Sequence, residues 1–101
     1  MARKIIWSFR ARTDLKNILE YLGNHNKSKI YSKKLFKLFT EAVLLLSEYP
    51  QIGKLTSDKG VRMKIVRDYS IIYEEKESEI RILTIWDSRQ NPEKLKIILN
   101  S

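Results

Sequence analysis

The pattern of apolar and polar positions divides the chain into short segments of different period. Lys4 to Ser8 is brief, apolar and aromatic, which predicts a strand. After it the period lengthens: Ala11, Leu15, Ile18 and Leu22 recur at helical spacing. Ser8 suits the start of that helix, because its hydroxyl can accept from a free N–H of the first turn, and Gly23-Asn24 suits its end. His25, Asn26 and Lys27 read as a tight loop. A second helix is expected from Ser28 to Tyr49, stopped by Pro50. Its Tyr31, Leu35, Leu38, Ala42, Leu45 and Tyr49 are spaced 4, 3, 4, 3 and 4. Phe36, Phe39, Val43 and Leu46 widen this stripe to about half the helix circumference. So short a connection makes the two helices antiparallel neighbours.

Pro50 to Gly60 has no period and reads as loop. The period then becomes two. Val61, Met63 and Ile65 alternate with Arg62 and Lys64, as in a half-buried strand. The apolar set is expected to face the helices, which leaves Arg62 and Lys64 on the open side of the sheet. Tyr69 to Glu74 is a second strand and Glu74 to Glu79 a charged hairpin tip. Ile80 to Trp86 is a third strand, apolar on both faces and so expected to be central. Pro92 is placed to open a last short helix carrying Leu95, Ile98 and Leu99 on one side. The order is β-α-α-β-β-β: an α+β fold in which a two-helix hairpin packs on one face of an antiparallel sheet.

Composition bounds what such a domain can do. One hundred and one residues make a single domain, 1–101. With no Cys there are no disulfides, thiolate metal sites or thiol nucleophiles. The longest apolar run, Ala42 to Leu46, is far too short to cross a membrane, and Ile5-Ile6-Trp7 is too short for a signal peptide. The expected address is the cytoplasm. One histidine, His25, and three scattered glycines exclude familiar triads, phosphate-cradling loops and a ligand set for metal, so no metal and no cofactor are expected.

Charge is more telling. The net charge is +8, and residues 1–40, with 10 basic and 2 acidic side chains, carry all of it. A field of that size draws polyanions. Lys29, Lys33 and Lys37 recur every four residues on one side of the second helix. Arg62, Lys64, Arg67, Arg89 and, from the preceding loop, Lys54 are candidates for a cationic cluster able to hold a phosphate backbone. Asp87 and Arg89 stand close enough to pair and stiffen the Trp86–Pro92 stretch. A merely solvated basic surface is the plain alternative. Leu44, among the lysines, reads as an isolated exposed leucine.

The chain resembles the RelE/ParE superfamily of toxins from bacterial type II toxin–antitoxin systems. The resemblance runs through Ile6-Trp7-Ser8, Ala11, Asp14-Leu15, Ile18, Tyr21-Leu22, Leu45, Pro50, Ile52-Gly53, Gly60-Val61-Arg62, Tyr69-Ser70-Ile71-Ile72-Tyr73, Ile82-Leu83 and Asp87-Ser88-Arg89. It implies a basic cytoplasmic toxin that arrests growth, stabilises plasmids and is silenced by a cognate antitoxin. ParE-like members poison DNA gyrase; RelE-like members cut messenger RNA on the ribosome. For cleavage the resemblance points to Arg62, Lys64 and Arg89. Ser70, however, stands where RelE-like nucleases tend to carry arginine, and neither His nor Tyr follows Arg89. The helix of Asp14-Leu15, Ile18 and Tyr21 and the Gly60-Val61-Arg62 piece look more like ParE. The sequence thus favours a gyrase inhibitor and leaves open a ribosome-dependent ribonuclease or a non-toxic structural relative. An antitoxin segment, as an amphipathic helix or an added strand, is expected to cover the third strand and Leu95, Ile97, Ile98 and Leu99.

Overall fold

The computed structural model describes residues 2–25 and 29–89. Strand β1 (Lys4–Trp7) leads into helix α1 (Phe9–His25), which is followed by helix α2 (Lys29–Glu48). A single 3-10 turn (Pro50–Ile52) precedes the two-residue strand β2 (Lys54–Leu55), then β3 (Val61–Val66), β4 (Tyr69–Glu75) and β5 (Glu79–Asp87). The expected order is present, with β2 as an extra strand inside the segment read as loop. The helix hairpin, the three late strands and the stop at Pro50 stand where the pattern puts them. Helix α1 runs through the Gly23-Asn24 stop signal to His25, a residue expected in the loop, since a glycine inside a helix costs only about 1 kcal/mol. Asn26, Lys27 and the helix expected after Pro92 lie outside the described residues. No described helix is long and apolar enough to cross a membrane.

The sheet has the order β1-β5-β4-β3-β2, with β5, β4 and β3 inside it. Strands β3, β4 and β5 form the antiparallel meander, and β1 joins β5 in parallel, Ile5 beside Ile80 and Trp7 beside Ile82. The helices cover one face, where Leu35, Phe39, Val43 and Leu46 of α2 meet Ile71, Tyr73, Ile80 and Ile82.

Strand β1 ends at Trp7, yet β5 continues to Asp87, and the start of α1 takes over the exposed ladder. The Ser8 amide donates to the Ile82 carbonyl (3.0 Å). The pairing of β4 with β5 shifts between Ile72 and Tyr73, so that Leu83 is left as the extra residue of a bulge. The Ser8 hydroxyl donates to the Leu83 carbonyl (2.8 Å) and accepts from the Ala11 amide (3.0 Å), capping α1 with the same atom. One turn on, Asp14 accepts from the Thr84 hydroxyl and from the Ile85 amide (3.2 Å). Ser8, which caps α1, and Asp14 within it thereby stand in for the missing strand.

The faces of β3 are opposite to the expectation. Arg62 lies beside Tyr73, Lys64 beside Ile71 and Val66 beside Tyr69, and these four partners from β4 and β3's own end (Tyr73, Ile71, Tyr69, Val66) belong to the core under the helices. Arg62 and Lys64 therefore share the helix side, while Val61, Met63 and Ile65 point away, Ile65 being 62% exposed. A shift of one residue in register flips every side chain of a strand. Strand β4 decides the register here, through its aromatic positions. The far face is not open either, because Val61, Ser70, Ile72 and Trp86 are buried.

Candidate functional site

Arg62 is tolerated on the helix side because it sits near the end of the sheet, where its guanidinium finds backbone acceptors. Nη1 donates to the carbonyls of Gly53 (2.9 Å) and Gln51 (3.2 Å), and Nε lies 3.9 Å from Glu75. Tyr73, its neighbour on β4, holds the same turn from inside. The Tyr73 hydroxyl donates to the Pro50 carbonyl (2.6 Å) and accepts from the Gly53 amide (3.0 Å). The two side chains clamp the segment that follows α2.

Burial raises the Tyr73 and Tyr69 phenols above their ordinary value; the Gly53 hydrogen bond opposes this at Tyr73, and Asp87 reinforces it at Tyr69. A raised folded-state value means that the stabilisation is complete below pH of about 10 and is lost as pH climbs through the folded value, where the unfolded chain binds fewer protons. Denaturant midpoints should therefore hold from neutrality to about pH 9 and fall above about 10. Tyr73→Phe should be less stable at pH 7 and show a shallower alkaline decline. An equally steep decline in both proteins would contradict this assignment.

The remaining cations do not converge on Arg62. Lys54 is exposed and lies beside Met63, on the opposite face from Arg62. Lys64 is half-buried on the helix side. Arg67 opens the two-residue turn between β3 and β4 with φ of 58°, a conformation that disfavours side chains. Five residues at about 3.3 Å each separate it from Arg62, roughly 16 Å along the strand. Arg89 belongs to the Arg67 end, since Ser88 binds the Asp68 carbonyl through its amide (2.9 Å) and hydroxyl (2.7 Å).

Arg89 is occupied by its own neighbour. Nε and Nη2 grip the two oxygens of Asp87 at 2.9 and 2.8 Å, and the Arg89 amide adds a third contact at 2.9 Å. The hydrogen bond to Arg89 holds the Asp87 carboxyl below the usual carboxylate range and holds the guanidinium above its ordinary value. The local pair anticipated from the sequence is thus formed. Beside it Arg10, Asp14, Tyr69 and Trp86 line a groove of mixed polarity, about 550 Å³, between α1 and the end of β5.

A second groove, of about 740 Å³, is apolar and lies between the helices and β1. Its walls include Trp7, Leu15, Phe39 and Val43, with Phe36 and Leu44 along one rim and Arg12 and Lys16 along the other. Phe36 is 49% and Leu44 57% exposed. Leu44 is therefore part of a continuous apolar surface rather than an isolated residue. The signal in the sequence was the width of the α2 stripe, which exceeds what one buried face requires. Conversely, Ile80, Ile82, Ile85 and Trp86 of β5 are buried within the chain, so the expectation that a partner covers them is corrected. Leu95, Ile97, Ile98 and Leu99 lie outside the described residues. Lys29, Lys33 and Lys37 are exposed along α2. Among the described residues no group of three or more His, Cys, Asp or Glu is placed to hold a metal ion.

No curated protein sequence matches significantly. A solved structure titled "Chromosomal ParDE TA system from P. aeruginosa" is similar in fold: the TM-score is 0.70 and the identity 23%, over 85% of this chain and 96% of the other. The family described as "ParE toxin of type II toxin-antitoxin system, parDE" matches residues 5–92. That match spans most of the sequence, from β1 through β5, and the chain belongs to the ParE toxin family of type II toxin–antitoxin systems.

Proposed function

We propose that the protein arrests bacterial growth by inhibiting DNA gyrase, and that a cognate antitoxin neutralises it. The observation that carries the choice of target is the engagement of Arg62 and Arg89. A nuclease of the alternative kind needs its cations together at one scissile phosphate, where a contact made in the transition state contributes about 2.7–4 kcal/mol. Here Arg62 serves backbone carbonyls at one end of the sheet and Arg89 serves Asp87 at the other. Membership of the ParE family supports the same reading. A surface that binds a protein target needs no such convergence, because its energy is spread over a few anchors.

For the antitoxin, the apolar groove of α1 and α2 is the fitting seat. Its shape suits an amphipathic helix, and Arg12 and Lys16 on its rim favour acidic flanks.

Induction in a bacterial host tests the proposal. Growth arrest should come with DNA breaks and altered supercoiling, and coexpression of the antitoxin should relieve it. Arg89→Ala should weaken toxicity by degrees that stronger expression overcomes. Ribosome-dependent transcript cuts that vanish with Arg89→Ala would establish the ribonuclease instead.

A further inference from the structure

The first three turns of α2 concentrate positive charge where a helix least favours it. Lys29, Lys33, Lys34 and Lys37 are all exposed, and the first turn contains no acidic residue. The amino end of a helix already carries a partial positive charge, so lysines there oppose the helix dipole instead of complementing it. The described acidic partner, Glu41, meets Lys37 at 4.0 Å with both side chains well exposed, which is a weak interaction in water. Across the apolar groove, α1 adds Arg12 and Lys16, both exposed.

We propose that this face binds the phosphate backbone of a nucleic-acid duplex. Lys29, Lys33 and Lys37 stand in line, about 6 Å apart at about 1.5 Å per residue. Each of these flexible side chains can reach a separate phosphate of a duplex strand, which carries one charge per about 3.4 Å of axis. Lysine is a compact charge on a flexible stem and binds phosphate as a point charge, without the fixed geometry that a bidentate contact demands. Lys29, Lys33 and Lys37 are not among the residues that line the apolar groove. The inference goes beyond the gyrase reading and does not depend on it.

Fluorescence anisotropy of the purified chain tests it, with a labelled DNA duplex, an RNA duplex of matching sequence and a single strand, each across a salt series. Lys29→Gln/Lys33→Gln/Lys37→Gln is compared with a charge-matched control, Lys54→Gln/Lys59→Gln/Lys76→Gln. Glutamine is nearly as good a helix former as lysine, and the control positions lie outside the helices, so both variants should keep the native circular dichroism. Each lost phosphate contact lowers the log–log salt slope by about 0.9. The α2 variant should therefore lose about 2.7 from its slope and the control less than about 1. Binding of both duplexes identifies the backbone as what is recognised; binding of the DNA duplex alone adds a requirement for its groove geometry. Equal losses in the two variants, preference for the single strand, or undiminished duplex binding by the α2 variant would overturn the proposal. Growth arrest by the same variants, scored separately, reports on the gyrase reading.

Discussion

Alanine in place of Asp14 should destabilise the protein by about 2–4 kcal/mol, since two buried donors lose their partner at about 1–3 kcal/mol each and partial relaxation offsets some of it. The carboxylate of Asp14 receives the Thr84 hydroxyl and the Ile85 amide at the point where β5 has outrun β1. Thr84 is fully buried, so neither donor regains water without local opening. Domains of this size have about 5–15 kcal/mol in total, and the loss should appear as a large drop in the denaturant midpoint. Asp14→Asn keeps one carbonyl acceptor and should lose about half as much, because a single net hydrogen bond contributes about 0.5–1.5 kcal/mol. A midpoint for Asp14→Ala within about 0.5 kcal/mol of the native protein, the range of ordinary surface substitutions, would show that α1 does not serve as the missing strand.

Gly53→Ala is expected to rank with it, at about 2–4 kcal/mol, from overpacking of about 1–3 kcal/mol together with a weakened hydrogen bond. The glycine is required here by proximity and not by backbone conformation, since its φ of −72° suits any residue. An added Cβ would fall inside van der Waals contact with the Tyr73 hydroxyl and 2.7 Å from its ring Cε1. Tyr73 is fully buried and cannot swing aside. The same substitution in a Tyr73→Phe background should cost clearly less, because the nearest clashing atom is gone; strict additivity of the two changes would contradict the clamp.

These two residues also show what a sequence reveals and what it conceals. The cap at Ser8, the helix hairpin and the late strands follow from local period and punctuation, and they appear as read. Asp14 and Gly53 were visible only as members of a family pattern. Their reasons are contacts with Thr84 and Tyr73, 70 and 20 residues away, and no local rule reports such contacts. The inverted face of β3 has a related cause. Alternation fixes which residues share a face but not which face meets the helices. The neighbouring strand β4, apolar at Tyr69, Ile71, Ile72 and Tyr73, offered no contrast to settle it. Once the register is known, Arg62 becomes a structural clamp, and the cationic cluster assembled from Lys54, Arg62, Lys64, Arg67 and Arg89 separates into two ends of a sheet. The lysine face of α2 was legible because it needs only helical spacing and exposure. Arg89 was legible in part: its pairing with Asp87 follows from adjacency, whereas its distance from Arg62 does not.

The most direct measurement adds the purified chain to reconstituted DNA gyrase with relaxed and supercoiled plasmid, and to ribosomes programmed with messenger RNA. The expected result is loss of supercoiling and accumulation of linear, gyrase-bound DNA, with intact messenger RNA. Unchanged gyrase activity together with ribosome-dependent cleavage of the messenger would contradict it.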